Sequence, residues 1–94
     1  MTQQNIYSIL IDRGFEQELA DHFSKKLSTV QKELEPCLLA WLNDNEEKDY
    51  EVDDFSISFF MEVFQLSYPA ALATIDWLIR EPEAAKKAIQ QGIQ

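Results

Sequence analysis

Apolar residues spaced three and four apart mark most of this chain as helical. From Phe15 the positions Leu19, Phe23, Leu27, Val30, Leu34, Leu38 and Leu42 follow one another at such steps, and the stripe keeps its phase across Pro36. Pro36 lacks an amide and disfavours helical geometry at Glu35. The pattern therefore predicts either a kinked helix or two abutting helices broken near Glu35, with Ser28 and Thr29 as another possible start. Upstream, Thr2 is placed to cap a short helix whose Ile6, Ile9 and Leu10 share a face, and Gly14 is placed to end it. A strand over the isoleucine-rich Ile6 to Ile11 competes, but polar and apolar residues do not alternate there. Trp41 is expected to close the core where this scaffold meets the helices that follow.

The stretch from Phe55 to Arg80 reads as two short helices joined by a tight turn. Ile57, Phe60, Met61 and Phe64 fall at helical spacing, and Asp53 and Asp54 stand where carboxylates can accept from first-turn amides. Gln65-Leu66-Ser67 breaks the pattern. Ser67 and Pro69 then have the form of a helix start, since proline's missing amide costs little in a first turn. On the second helix Ala71, Leu72, Ile75, Leu78 and Ile79 make a stripe for packing on the first. The other face carries Ala70, Ala73, Thr74 and Trp77, with Asp76 and Arg80 as the helix's only charges. The plain reading of Trp77 is core, because aromatics at helical spacing are mostly core; the sharper reading is a partner-binding face. After Arg80, Pro82 opens a last helix with Ala84, Ala85, Ala88 and Ile89 as a thin apolar face, ended by Gly92.

Two short helices and a three-residue turn are the plan of a helix-turn-helix unit. Ser56-Ile57-Ser58, Phe64-Gln65-Leu66, Tyr68, Ala71 and Ile75-Asp76 go further. This segment resembles the helix-turn-helix of the γ domain of FtsK-type DNA translocases, where a Ser-x-Ser start, a Phe-x-Ile turn, a Tyr and an Ala-rich helix with Ile-Asp recur. The resemblance covers residues 56–76 and implies a fold more than a role. In that family Asn and Arg side chains after the Tyr meet DNA, whereas Pro69, Ala70 and Ala73 stand at the corresponding positions here. Glu62 and Val63 replace the family's basic pair before the Phe. No glycine-containing wing follows, because Arg80-Glu81-Pro82 leads straight into another helix. A recognition helix without cations lacks the phosphate contacts that supply most non-specific affinity.

Charge sharpens this picture. Of the formal net −9, residues 1–43 carry −2, residues 44–54 carry −6 and residues 55–94 carry −1, so no basic footprint exists along the sequence. Residues 44–54 read as a solvated acidic loop or as a patch that meets a basic surface. A calcium loop fails, because no register places acids at the first, third and fifth positions with glycine at the sixth and glutamate at the twelfth. Glu18 and His22 could share a helix face and hold a metal weakly; an ordinary exposed pair is the preferred reading. The single cysteine, Cys37, lies in an apolar helical pattern and reads as core, in keeping with a reducing compartment. With two glycines there is no phosphate-cradling loop, and nothing approaches a signal peptide or a membrane span. No cofactor, metal or catalytic residues are assigned.

The expectation is an all-α single domain, 1–94, built as a compact bundle of about five helices. It comprises an N-terminal scaffold (1–43), an acidic loop (44–54), and a helix-turn-helix-like unit without a wing plus a C-terminal helix (55–94). The expected role is that of a cytoplasmic, non-catalytic regulatory or adaptor protein that binds another protein, a basic or nucleic-acid-binding one being a natural class. The assigned contacts are Tyr68, Ala70, Thr74 and Trp77, with Asp44, Glu46, Glu47, Asp49 and Glu51. Two alternatives stand beside it: a dimeric helix-turn-helix DNA regulator, for which Lys25, Lys26, Lys32, Lys86 and Lys87 would have to gather on one surface, and a DNA-mimicking inhibitor of a nucleic-acid-binding protein. No membrane partner is expected.

Overall fold

In a computed structural model that describes residues 2–93, Ile93 by its backbone only, the first helix, α1 (Gln3–Asp12), starts as its sequence predicts. The Thr2 hydroxyl accepts from the Asn5 amide at 3.3 Å. At the other end Gly14 takes φ +93°, a region costly for residues with a Cβ, and its amide donates to the Ile11 carbonyl. Ile6 and Leu10 are fully buried on the face that α1 turns to α2 (Gln17–Leu27).

The long apolar stripe is interrupted earlier than Pro36 suggests. The Ser28 and Thr29 hydroxyls donate to the carbonyls of Lys25 and Lys26, and Gln31 is extended, so α2 stops at Leu27. Short hydroxyl side chains offer such carbonyls an alternative to the next helical amide. A 3-10 turn (Lys32–Leu34) then leads directly into α3 (Glu35–Asp44), whose first turn holds Pro36 without the loss of a helical bond. Glu35 itself is helical. The stripe is correspondingly uneven: Leu27, Leu34, Leu38 and Leu42 are buried, whereas Leu19 is 45% exposed.

The backbone divides into two compact units, Met1–Lys48 and Asp49–Gln94. In the first, Trp41 is buried with Phe15 edge-on to it at 6.3 Å, and the Arg13 guanidinium lies 4.3 Å from the ring centroid. Arg13 Nη2 also donates to the Leu42 carbonyl at 3.0 Å, which ties the end of α1 to the end of α3. Cys37 is buried.

The second unit opens with structure that the charge pattern concealed. Part of the expected acidic loop is an antiparallel hairpin, β1 (Glu51–Val52) and β2 (Phe55–Ser56), with Glu51 opposite Ser56 and Val52 opposite Phe55. Asp53 turns the chain at φ +56°. Three helices follow: α4 (Ile57–Val63), α5 (Tyr68–Arg80) and α6 (Pro82–Ile93). The described residues thus form six α-helices and a small two-stranded ribbon, where about five helices and no strand were expected. The extra helix arises at the Ser28–Gln31 break, and the ribbon from the tight Asp53-Asp54 turn.

Phe55, Phe59, Phe60 and Phe64 form a ring cluster with neighbouring centroids 5.3–6.1 Å apart and Phe60 almost fully buried at its centre. Helix α6 adds Ala85 and Ile89 to the core, while Ala84 and Ala88 are exposed. Gly92 does not end α6, which runs on to Ile93; a Cβ there would stand 3.1 Å from Phe64 Cε2, so glycine lets the helix pass close to that ring. Because Phe60 is almost fully buried and packs against three other rings, those of Phe55, Phe59 and Phe64, Phe60→Ala should destabilise the chain by about 3–5 kcal/mol, measured by urea unfolding followed by circular dichroism. A loss below about 1 kcal/mol would show that the cluster can collapse around the gap.

Candidate functional site

Helix α5 is set in place by its approach. Gln65 adopts φ +60°, the Leu66 amide donates to the Phe60 carbonyl at 3.3 Å, and extended Ser67 supplies the carbonyl for the first helical bond, from Ala71. The Ser67 hydroxyl itself makes no capping bond. Ala71, Leu72, Ile75 and Leu78 are buried, as the stripe predicts; Ile79 is only partly so.

The remaining face of α5 carries Ala70, Ala73, Thr74 and Trp77 at helical spacing, none of them buried. Trp77 is 37% exposed, so the core reading does not hold for it. Its indole nitrogen donates to Glu81 Oε2 at 3.1 Å, which fixes the ring against the helix end. Thr74 Oγ1 donates back to the Ala70 carbonyl at 2.8 Å, so its hydroxyl proton is already used. The two α5 charges pair with each other, Arg80 Nε to Asp76 Oδ2 at 2.9 Å, with Asp76 largely buried. The face is therefore small, apolar and locally uncharged, with one large aromatic.

Tyr68 does not belong to this surface. Only 2% of it is exposed, because the first residue of α5 falls on the same side of the helix as Leu72 and Ile75. The acidic positions are dispersed over different structures. Asp44 ends α3, Glu46 and Glu47 lie in the connection that follows, and Glu51 is on β1; all four are exposed.

Asp49 has a local structural task. Its Oδ1 accepts from the Tyr50 and Ser58 amides at 2.9 and 3.1 Å, and its Oδ2 accepts from the Ser58 hydroxyl at 2.6 Å. Together with Ser56 Oγ, which accepts from the Phe59 amide, and the Tyr50 carbonyl, which accepts from the Ile57 amide, it satisfies the first three amides of α4. The capping role expected of Asp53 and Asp54 falls instead to Asp49 and Ser56. Asp53 pairs with Lys86 of α6 at 2.8 Å, and that carboxylate, by hydrogen bond and charge, holds the Lys86 ammonium above its ordinary pKa.

Sequence reasoning missed both Asp49 links to Ser58 and the Glu81 bond to Trp77. The latter had a signal in the four-residue spacing of Trp77 and Glu81. The Asp49 links span nine residues and depend on a hairpin that no periodicity announces.

Two adjoining grooves in the first unit, about 220 and 370 Å³, share Tyr7 and Gln17 and are lined by none of the assigned site residues. Among the described residues no three His, Cys, Asp or Glu side chains converge on a point, and no helix is long and apolar enough to cross a membrane. Comparison with known proteins returns no matching family model, no matching curated protein and no matching solved structure.

For Asp49, desolvation pushes the carboxyl pKa up, but the Ser58 hydroxyl, the Ser58 amide and the Tyr50 and Ile57 amides together outweigh it and hold the group below its ordinary value. A carboxyl depressed in the folded state stabilises the fold above its unfolded pKa, and that contribution disappears as pH falls through the folded value. Asp49→Ala should therefore cost about 1 kcal/mol near neutral pH, the usual scale of a lost cap. The gap from wild type should close on acidification below the ordinary aspartate range. Chemical denaturation at neutral and acid pH checks this, and a gap independent of pH would assign the loss to something other than the carboxylate.

Proposed function

We propose that this chain is a small acidic, non-catalytic regulatory or adaptor protein that binds another protein through the outer face of α5. The observation that carries this reading is Trp77, a large aromatic 37% exposed on a helix face whose other members are Ala70, Ala73 and Thr74. Exposed tryptophans ringed by small residues are what interface anchors are made of, since most binding energy concentrates in a few large side chains. The net charge of −9 favours partners with basic surfaces by steering encounter. On this reading the α4-turn-α5 arrangement, with its resemblance to the FtsK γ helix-turn-helix, keeps a DNA-binding shape in a protein-binding role.

The DNA-regulator reading is less favoured for a specific reason. Of its cationic candidates, Lys86 is engaged by Asp53 and Lys25 by Asp21, and α5's own Arg80 by Asp76. Titration of random-sequence duplex DNA at low and moderate salt, with wild type and with Lys86→Glu/Lys87→Glu, tests the choice. No binding at low salt, where attraction to phosphate is strongest, is expected. Binding that weakens with added salt and with the double substitution would replace the protein-binding reading with the DNA-regulator one.

A further inference from the structure

Resting on that protein-binding reading, we propose that Trp77 and Glu81 form a receptor for a basic side chain, an arginine first of all, on the partner polypeptide. The indole face attracts a cation through its quadrupole, and a carboxylate beside it compensates the incoming charge. Both elements are present and oriented. Glu81 Oε2 accepts the Trp77 N–H at 3.1 Å, which fixes the ring and leaves Oε1 for a donor from outside. Glu81 and Trp77 are both exposed.

The local charge favours the same occupant. Helix α5 ends and α6 begins at Glu81-Pro82, so the negative end of one dipole meets the positive end of the other, and they largely cancel. What remains is set by side chains. Glu81 and Glu83 are acidic, and the nearest cation, Arg80, is bound to Asp76 at 2.9 Å. The Thr74 hydroxyl is turned onto its own helix, so Ala70, Ala73 and the Thr74 methyl offer an apolar shelf for the aliphatic stem of an arginine or lysine.

The molecule also contains the completed form of this contact. Arg13 lies 4.3 Å above Trp41 while donating to the Leu42 carbonyl, so one tryptophan has its cation from within the chain. No cation of the described residues is placed over Trp77 in that way. Arginine is favoured over lysine because its planar guanidinium can stack on the ring and still donate to a carboxylate.

The test is a nuclear magnetic resonance titration of the full chain, following the two indole N–H signals at low salt. The probe is the pentapeptide Ac-Ala-Ala-Arg-Ala-Ala-amide, with its citrulline counterpart as the uncharged isostere. The Trp77 signal, assigned by its loss in Trp77→Phe, should shift saturably with the arginine peptide while the Trp41 signal stays. Affinity should fall about tenfold with citrulline or with Glu81→Gln, the scale of one cation–π and carboxylate contact. Equal shifts with both peptides would overturn the basic receptor and leave α5 as a protein-binding face. No shift with either would also overturn it, and the DNA titration described above would then decide separately whether the protein-binding reading stands. Undiminished binding to Glu81→Gln, with the fold retained, would remove Glu81 from the site.

Discussion

A seven-residue helix cannot supply its own end. Helix α4 is less than two full turns long, so its unpaired first-turn amides are a large fraction of its backbone donors, and a partner for them has to come from outside the helix. The chain provides one by folding the hairpin back, so that Asp49, Tyr50 and Ser56 reach Ser58, Ile57 and Phe59. That closure puts Phe55 of the hairpin stacked on Phe60 of the helix, with ring planes 16° apart. The phenylalanine cluster, the Gln65 turn beyond it and the placement of α5 follow from this short segment being held.

The acidic stretch therefore has a different physical meaning from the one its composition suggests. A run of like charges usually signals a solvated connection, because repulsion extends it. Here, within a few residues, Asp49 is occupied by hydrogen bonds and Asp53 by an ammonium group. The boundary between the two compact units also lies inside this run, after Lys48, so its acids belong partly to one unit and partly to the other.

The sequence was most legible where one periodicity persists and a capping residue marks its end. Helices α1, α5 and α6 start where Thr2, Ser67 and Pro82 indicate, and the buried stripe of α5 is the one its spacing names. Legibility failed at the end of α2, where Ser28 and Thr29, read as a possible helix start, instead bond back to carbonyls within a stripe that continues in phase on both sides; the start of α3 at Glu35 is one of the two readings that Pro36 left open. It failed again at the hairpin, since two-residue strands are too short to alternate. For the candidate face, spacing identified its members but not their burial. Tyr68 and Trp77 are both large aromatics on one helix, nine residues apart, and a hundred-degree step per residue sends one inward and the other outward.

The left-handed turns of this chain have a thermodynamic consequence. Asn45, Asp53 and Gln65 all sit at positive φ, in a chain whose only two glycines are elsewhere. Such a backbone costs residues with a Cβ more than glycine, less for Asn45 and Asp53, whose types tolerate it, than for Gln65. In return, each keeps a Cβ that narrows the conformations open to the unfolded chain, and two of the three also keep a working side chain: Asp53 pairs with Lys86, and Gln65 donates to the Glu62 carbonyl. The chain thus accepts torsional strain at its corners and gives up less disorder on folding.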